Sequence, residues 1–252
     1  MVPMEFCFLE TLTKVQMRLH QEINLKPASM QEMVQGNMDE LDRIINPAIV
    51  LAVSEAFKGP GKKTETLAEV IQYIFMANII HKLMRDDSDI AEEHRQYPVL
   101  VGDLFYGKFF LVLCREQLLS FLEPIAQVMI TMSEGGISRW LARDKKLTMT
   151  ESLKIIEKES AALTALAARL SAEVAGVSDP LQRQIEMFGW ELGLAWGAWK
   201  ERLKNVEVQS ILQRANAILN VISSESESQF QLQPLREVYL FMVKQLNTDY
   251  AP

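Results

Sequence analysis

The chain has 252 residues, 48% of them hydrophobic and 23% charged, with a net charge of −7 and a pI near 5.2. That is enough apolar material for one large domain with a buried core. The acidic balance and the lack of a basic stripe exclude a nucleic-acid binder.

Apolar residues recur at helical spacing almost throughout, and strict alternation is nearly absent, so the chain reads as all-α. In chain order, helices are expected near 5–24, 38–57, 64–85, 98–120, 120–133, 149–175, 180–203, 205–222 and 230–247. Gly59, Pro60 and Gly61 break the second helix from the third. Thr148 and Glu151 have the spacing of a capping box. Gly176 closes one helix, and Asp179 followed by Pro180 reads as N-cap and first helical position of the next. Ser223 to Ser228 reads as an exposed loop. With no linker or internal repeat, residues 1–252 form a single domain, a bundle of about nine or more helices. The helices at 64–85 and 98–120 are apolar on more than one face and belong at its centre.

The N-terminus carries Glu5 and Glu10 and lacks a basic start, so no secretory signal is read. The most apolar run, Val99 to Cys114, is interrupted by Asp103 and Lys108. A soluble, cytoplasmic protein without a transmembrane segment is expected. Cys7 and Cys114 sit in apolar surroundings and are expected to be buried free thiols. The histidines (His20, His81, His94) have no ligand spacing for zinc, and no Ser/His/Asp set or Gly-rich phosphate loop is present. His81 reads as a hydrogen-bonded helix histidine, and Trp190, Trp196 and Trp199 as structural residues.

Several stretches in fixed order carry a resemblance. The third helix ends Ile79-Ile80-His81-Lys82-Leu83-Met84-Arg85-Asp86-Asp87, followed after a polar loop by Val99-Leu100-Val101-Gly102-Asp103. Ile155-Ile156 leads to Glu159-Ser160-Ala161-x-Leu163, and Phe188-Gly189-x-x-Leu192-Gly193-x-Ala195-Trp196 follows beyond Ala175-Gly176. From about Pro47 to Leu246 the chain resembles the trans-prenyltransferases, which implies an isoprenoid-synthase-type bundle. In that family two aspartate-rich motifs face each other across a cavity. They hold Mg²⁺ against the departing diphosphate of an allylic substrate while isopentenyl diphosphate adds to it.

The resemblance fails at the residues that would do this chemistry. Lys82 and Leu83 replace the leading aspartates of the first motif, where only Asp86 matches. Gly197 replaces Gln in the second, with Lys200, Glu201 and Lys204 beyond it. Glu159 stands for the anion-binding lysine, and Asp42-Arg43-Ile44-Ile45-Asn46-Pro47 for the basic Gly-Lys-Arg-x-Arg-Pro stretch. Exchanging a carboxylate for an ammonium beside a metal replaces attraction by repulsion, about 4 kcal/mol for each term at ~4 Å and an effective dielectric of ~20. Independent prenyl transfer is not expected, and no catalytic, cofactor or metal residue is assigned.

The shortened loop and His94-Arg95-Gln96-Tyr97-Pro98 further resemble the small, non-catalytic components of bacterial heptaprenyl and hexaprenyl diphosphate synthases. That resemblance implies a heterodimer with a catalytic large subunit (component II). It implies Mg²⁺ in the partner rather than in this chain, and a prenyl diphosphate for the menaquinone side chain. It also implies that Phe75, Ala77 and Asn78, with Phe105, Phe109 and Phe110 of the next helix, line the product-chain cavity, although core packing explains these residues as well. Two other readings stay open: a prenyl-lipid-binding module, and a terpene synthase using Asp86, Asp87 and Asp89 with Mg²⁺.

Overall fold

A computed structural model describes residues 6–24, 27–84, 92–225 and 230–247. Among the described residues there is no strand, and the helices are α1 (Leu9–Asn24), α2 (Ala28–Gly36), α3 (Glu40–Phe57), α4 (Lys62–His81), α5 (Glu92–Arg115), α6 (Leu122–Leu141), α7 (Met149–Ile156), α8 (Ala162–Val174), α9 (Asp179–Lys200), α10 (Asn205–Glu225) and α11 (Gln233–Leu246). A π-helical turn, Glu157–Ala161, joins α7 to α8 without a break, and a 3₁₀ turn, Leu119–Phe121, leads into α6.

The expected bundle is therefore present, with corrections at its edges. The short α2 fell between two expected elements, and α6 runs eight residues past the expected end at 133. The N-cap of α9 is Ser178 rather than Asp179, which already lies in the first turn with Pro180. Thr148 and Glu151 do form the capping box of α7. A second box, Asp39 with Asp42, starts α3. Gly176, at φ +76, ends α8 in the left-handed region that suits glycine. Both cysteines are exposed, against expectation. Phe6 and Phe8 take the inward positions on either side of Cys7, and Cys114 ends the outer face of α5.

Helices α3, α4, α8 and α9 form the centre, and their packed faces bury Ile45, Ile71, Phe188 and Trp196 almost completely. The sequence explains how closely α8 and α9 approach. Gly189, Gly193 and Gly197 fall on one face of α9, one turn apart. A Cβ on Gly193 would lie 1.9 Å from Thr164 Oγ1 and 2.9 Å from Ala161 Cα, and one on Gly197 would lie 2.3 Å from Ile156 Cγ2. On the other side, a Cβ on Gly135 of α6 would lie 2.8 Å from Glu159 Cγ. Missing side chains on α6 and α9 thus bring both helices against the π turn, and Glu159 is caught between them.

Gln96–Arg115 of α5 is long and apolar enough to cross a bilayer by length and composition, and 39% of its apolar window is buried in the bundle. Its inner face, with Phe105, Phe109 and Leu113, packs into the core against α4. Replacing Gly193 by Ala should cost about 1–3 kcal/mol, the usual penalty for overfilling a packed contact. A fall of several degrees in the thermal midpoint of Gly193→Ala would register it, whereas an unchanged midpoint would mean that α8 and α9 are not held this close.

Candidate functional site

The π turn sits where α4 ends, facing α6 and α9. An extra residue in a helical turn rotates the side chains that follow it, and here it points Glu159 inward, only 4% exposed. A buried carboxylate must be matched by cations. Arg139 of α6 grips it with a two-toothed contact, Nε at 3.0 Å and Nη2 at 2.8 Å from Oε2. Lys82, capping α4, reaches the same oxygen at 3.1 Å. Arg139 Nη2 also reaches Glu201, just past α9, at 3.0 Å. One chain of charges therefore ties together α4, α6, the π turn and α9.

A second ion pair lies beside it. Lys200 Nζ meets both oxygens of Asp42 at 2.5 and 2.6 Å and lies 3.5 Å from Asp39. Asp42 is 1% exposed and also accepts the backbone N–H of Asp39, so a capping box doubles as an ion-pair site.

These pairings account for the side chains at the altered motif positions. Lys82 and Glu159 are reversed in sign relative to the resembled pattern, and they satisfy each other. Lys200 is matched by Asp42, and Glu201 by Arg139. Leu83 is half-buried and packs on the core. Arg43 donates to the backbone carbonyls of Gln35 and Met38, and Asn46 is fully buried with no protein partner for its amide. In that stretch Arg43 directs Nη2 at two main-chain carbonyls. Among the described residues no group of three or more His, Cys, Asp or Glu side chains is placed to hold a metal ion. Magnesium requires oxygen ligands free of competing cations, and Glu159, Glu201 and Asp42 each have a cation in contact. These three carboxylates, as paired, do not fit Mg²⁺. Asp86, Asp87 and Asp89 lie outside the described residues.

Above this network opens a cavity of about 850 Å³ between α4, α5 and α6, lined at one end by Lys82, Arg139 and Glu159 and elsewhere by Asn78, Val99 and Ile137. Of the residues expected to line a product channel, Asn78 is on its wall. Phe109 lines a separate groove of about 470 Å³ between α5 and α6, together with Phe110. Phe75, Ala77 and Phe105 are buried in the packed core, Phe75 against Trp196 at 5.1 Å between ring centroids. His81 is held by Val99 O and Asp103, each at 3.3 Å from Nε2, and Tyr106 meets its ring edge-on at 5.2 Å. Gly102 permits this, since a Cβ there would overlap the imidazole.

Sequence reading missed Arg139 and Tyr106. Arg139 belongs to no motif and lies in the part of α6 beyond the expected helix. Tyr106 lies three residues past the Gly102-Asp103 stretch and lines both the cavity and the groove.

An all-α bundle with a central cavity bounded by α4, α5, α6 and the π turn defines an isoprenoid-synthase fold. The polyprenyl synthetase family profile matches residues 27–198, and the chain belongs to that family. It is 24% identical over 161 residues to the octaprenyl diphosphate synthase of Haemophilus influenzae, a match covering 60% of this chain and 49% of that one. The chain thus spans about half the length of that curated relative. The geranylgeranyl pyrophosphate synthase of Corynebacterium glutamicum superposes with a TM-score of 0.71 at 14% identity, covering 96% of this chain and 94% of that one. The geranyl diphosphate synthase small subunit of Antirrhinum majus superposes with a TM-score of 0.70 at 12% identity, covering 94% and 99%.

The network has a pH signature. Burial pushes the Glu159 carboxyl up, but the Arg139 hydrogen bonds and the Lys82 charge outweigh it and hold the pKa below the ordinary 4.5. Its contribution to stability is therefore complete above pH 4.5 and lost as pH falls through the depressed value. Asp42 works in the opposite sense. Burial outweighs Lys200 and raises its pKa above 3.8, so folding weakens as pH rises from 3.8 through that raised value. Glu159→Gln should cost about 2 kcal/mol at pH 7, less than a fully enclosed pair because Lys82 and Arg139 are each about one-third exposed. Denaturant melts at pH 7 and pH 3.5 test this: the gap between wild type and variant should shrink at the lower pH, and a constant gap would remove Glu159 from its proposed place in the ion-pair network.

Proposed function

We propose that the chain is the non-catalytic subunit of a heteromeric trans-polyprenyl diphosphate synthase, required by a catalytic large subunit that holds the Mg²⁺ and the diphosphates. One observation carries this reading. The positions that serve metal and diphosphate in active trans-prenyltransferases are here occupied by side chains that neutralise each other, Lys82 with Glu159, Glu201 with Arg139 and Lys200 with Asp42. In a site of this kind the cations at the motif positions are already matched by carboxylates of the same chain.

Family membership supplies the substrate class, allylic and homoallylic prenyl diphosphates. The likeness in fold to a protein described as a small subunit supports the accessory role. We assign the assembled enzyme a long all-trans product, heptaprenyl or hexaprenyl, of the kind that forms the menaquinone side chain, and place it in the cytoplasm. Within it this chain takes no cofactor of its own and shapes the cavity that receives the product.

The test is a prenyl-transfer assay with farnesyl diphosphate, isopentenyl diphosphate and Mg²⁺. The purified chain should show no turnover above background. Mixing it with the aspartate-motif prenyltransferase of the same genome should raise that protein's rate at least tenfold. Turnover by the lone chain would overturn the reading, and so would a partner whose rate is unaffected. A prenyl lipid retained by the lone chain in native mass spectrometry, with no effect on any synthase, would instead make it a lipid-binding module.

A further inference from the structure

On the side of α4 turned away from the ion-paired cavity lies a second space, a funnel of about 370 Å³ between α1, α2, α3 and α4. Gln72 and Met76, one turn apart, face it, while Asn78 and Lys82 project on the other side of the same helix. The two spaces have no residue in common. The volume is that of an ordinary small-molecule site. Its floor is Leu19, Ile23, Val34, Met38 and Met76, each at most 8% exposed. Its rim is a single stripe of α1, Thr13, Gln16, Met17 and His20 at helical spacing, faced by Arg43.

Two polar features give this apolar funnel a direction. At the floor, Gln72 is 2% exposed, and its Nε2 donates to the backbone carbonyl of Asp42 at 3.0 Å. That bond fixes the amide, and its buried Oε1 meets no donor among the described residues. A buried acceptor without a partner is costly. Water suits such a place poorly, because a trapped water needs several polar partners and the rest of the floor is apolar. A hydroxyl carried on an apolar body suits it better. At the rim, Arg43 anchors the turn after α2 through Nη2, 2.9 Å from the carbonyl oxygens of both Gln35 and Met38. None of the twelve described residues around the funnel is Asp or Glu, in a chain of net charge −7. An anion at the rim therefore meets a guanidinium and no opposing carboxylate. Between floor and rim, Met17, Met38 and Met76 come from three different segments, and methionine sulfur packs favourably on aromatic rings.

We propose that this funnel binds a small hydroxylated aromatic acid, with its ring among the three methionines, its hydroxyl donating to Gln72 Oε1 and its carboxylate at Arg43. A flat ring with a donor at one end and an anion at the other uses each feature of the funnel once. A plain hydrocarbon tail would fill the floor but would leave Oε1 unpaired. A diphosphate would call for more cations than one guanidinium beside an imidazole. The site goes beyond the accessory role and is built from this chain alone. It also touches the start of α3 at two points. Gln72 holds the backbone of Asp42, Arg43 follows Asp42 directly, and the Asp42 side chain carries the Lys200 ion pair. A ligand seated here braces the turn on which that pair is built.

Calorimetric titration of the purified chain with a naphthoate that carries a hydroxyl at the far end of its ring tests this. One molecule should bind per chain. Naphthoate without the hydroxyl, and naphthol without the carboxylate, should each bind about tenfold more weakly, which is the worth of one hydrogen bond to a buried or charged partner. Gln72→Met should erase the difference between the hydroxylated and the plain naphthoate, a result that loosened packing alone would not produce. Met17 is 56% exposed, so Met17→Glu should keep the wild-type circular dichroism spectrum and melting temperature. Its carboxylate at the rim should nevertheless lower the affinity about tenfold by like-charge repulsion. No binding by the wild-type chain, equal affinity for the three compounds, or binding indifferent to Met17→Glu overturns the proposal. A fatty acid that binds more tightly than the hydroxynaphthoate overturns it too, and makes the funnel a site for lipid tails. The titration uses no partner protein, so each of these results leaves the accessory role standing, and failure to activate a synthase would leave the funnel's ligand as measured.

Discussion

The buried carboxylate of Glu159 is the constraint around which the rest of the site is arranged. An ionised group that is only 4% exposed destabilises a fold unless cations reach it. Here they come from two helices at once, Arg139 from α6 and Lys82 from the end of α4, and Arg139 continues to Glu201 beyond α9. The backbone has to bring those elements within reach of a single side chain. It does so through the π turn, which turns Glu159 inward, and through Gly135 and Gly193, which remove the side chains that would hold α6 and α9 away. In active trans-prenyltransferases, metal and diphosphate join the same regions of the bundle. This chain joins them by its own charges.

That substitution explains why several motif residues change sign together. Lys82 alone would repel the basic residues of a diphosphate site, and Glu159 alone would repel the diphosphate. Side by side at 3.1 Å they satisfy each other. Lys200 and Asp42 pair at 2.5 Å on the other wall, although there the burial of Asp42 outweighs the lysine. The altered positions are thus coupled: a carboxylate in place of Lys200 would put a second acid beside the buried Asp42, and one in place of Lys82 would leave Glu159 with Arg139 alone.

Much of the architecture was legible in the chain. Helical periodicity, the Thr148–Glu151 capping box and the ordered stretches ending at Trp196 are local signals, and they gave an all-α bundle with the altered motifs on its central helices. The charge pairing was not legible, because it depends on contacts distant in sequence, such as Lys200 with Asp42, 158 residues apart. Arg139 was missed for a related reason. The helix was expected to end at 133, whereas α6 continues to Leu141, with Gly135 packed directly on Glu159. Phe75 and Ala77, which the resemblance would place on a product channel, are buried in the core, Phe75 against Trp196. Their helix faces the cavity only from Asn78 onward.

The surface of α5 is uneven for a reason that its sequence makes plain. A helix that crosses the centre of a bundle is apolar all round, and α5 is nearly so, yet only its inner face has neighbours to pack on. An apolar outer face in water carries a continuing cost that solubility alone would remove by substitution with charged residues. Leu100, Leu104 and Leu111 on α5 and Ile130 and Ile137 on α6 carry that cost together on one side of the molecule. The two features are complementary: charged side chains are drawn inward into ion pairs at Glu159 and Asp42, and apolar ones stand outward on α5 and α6.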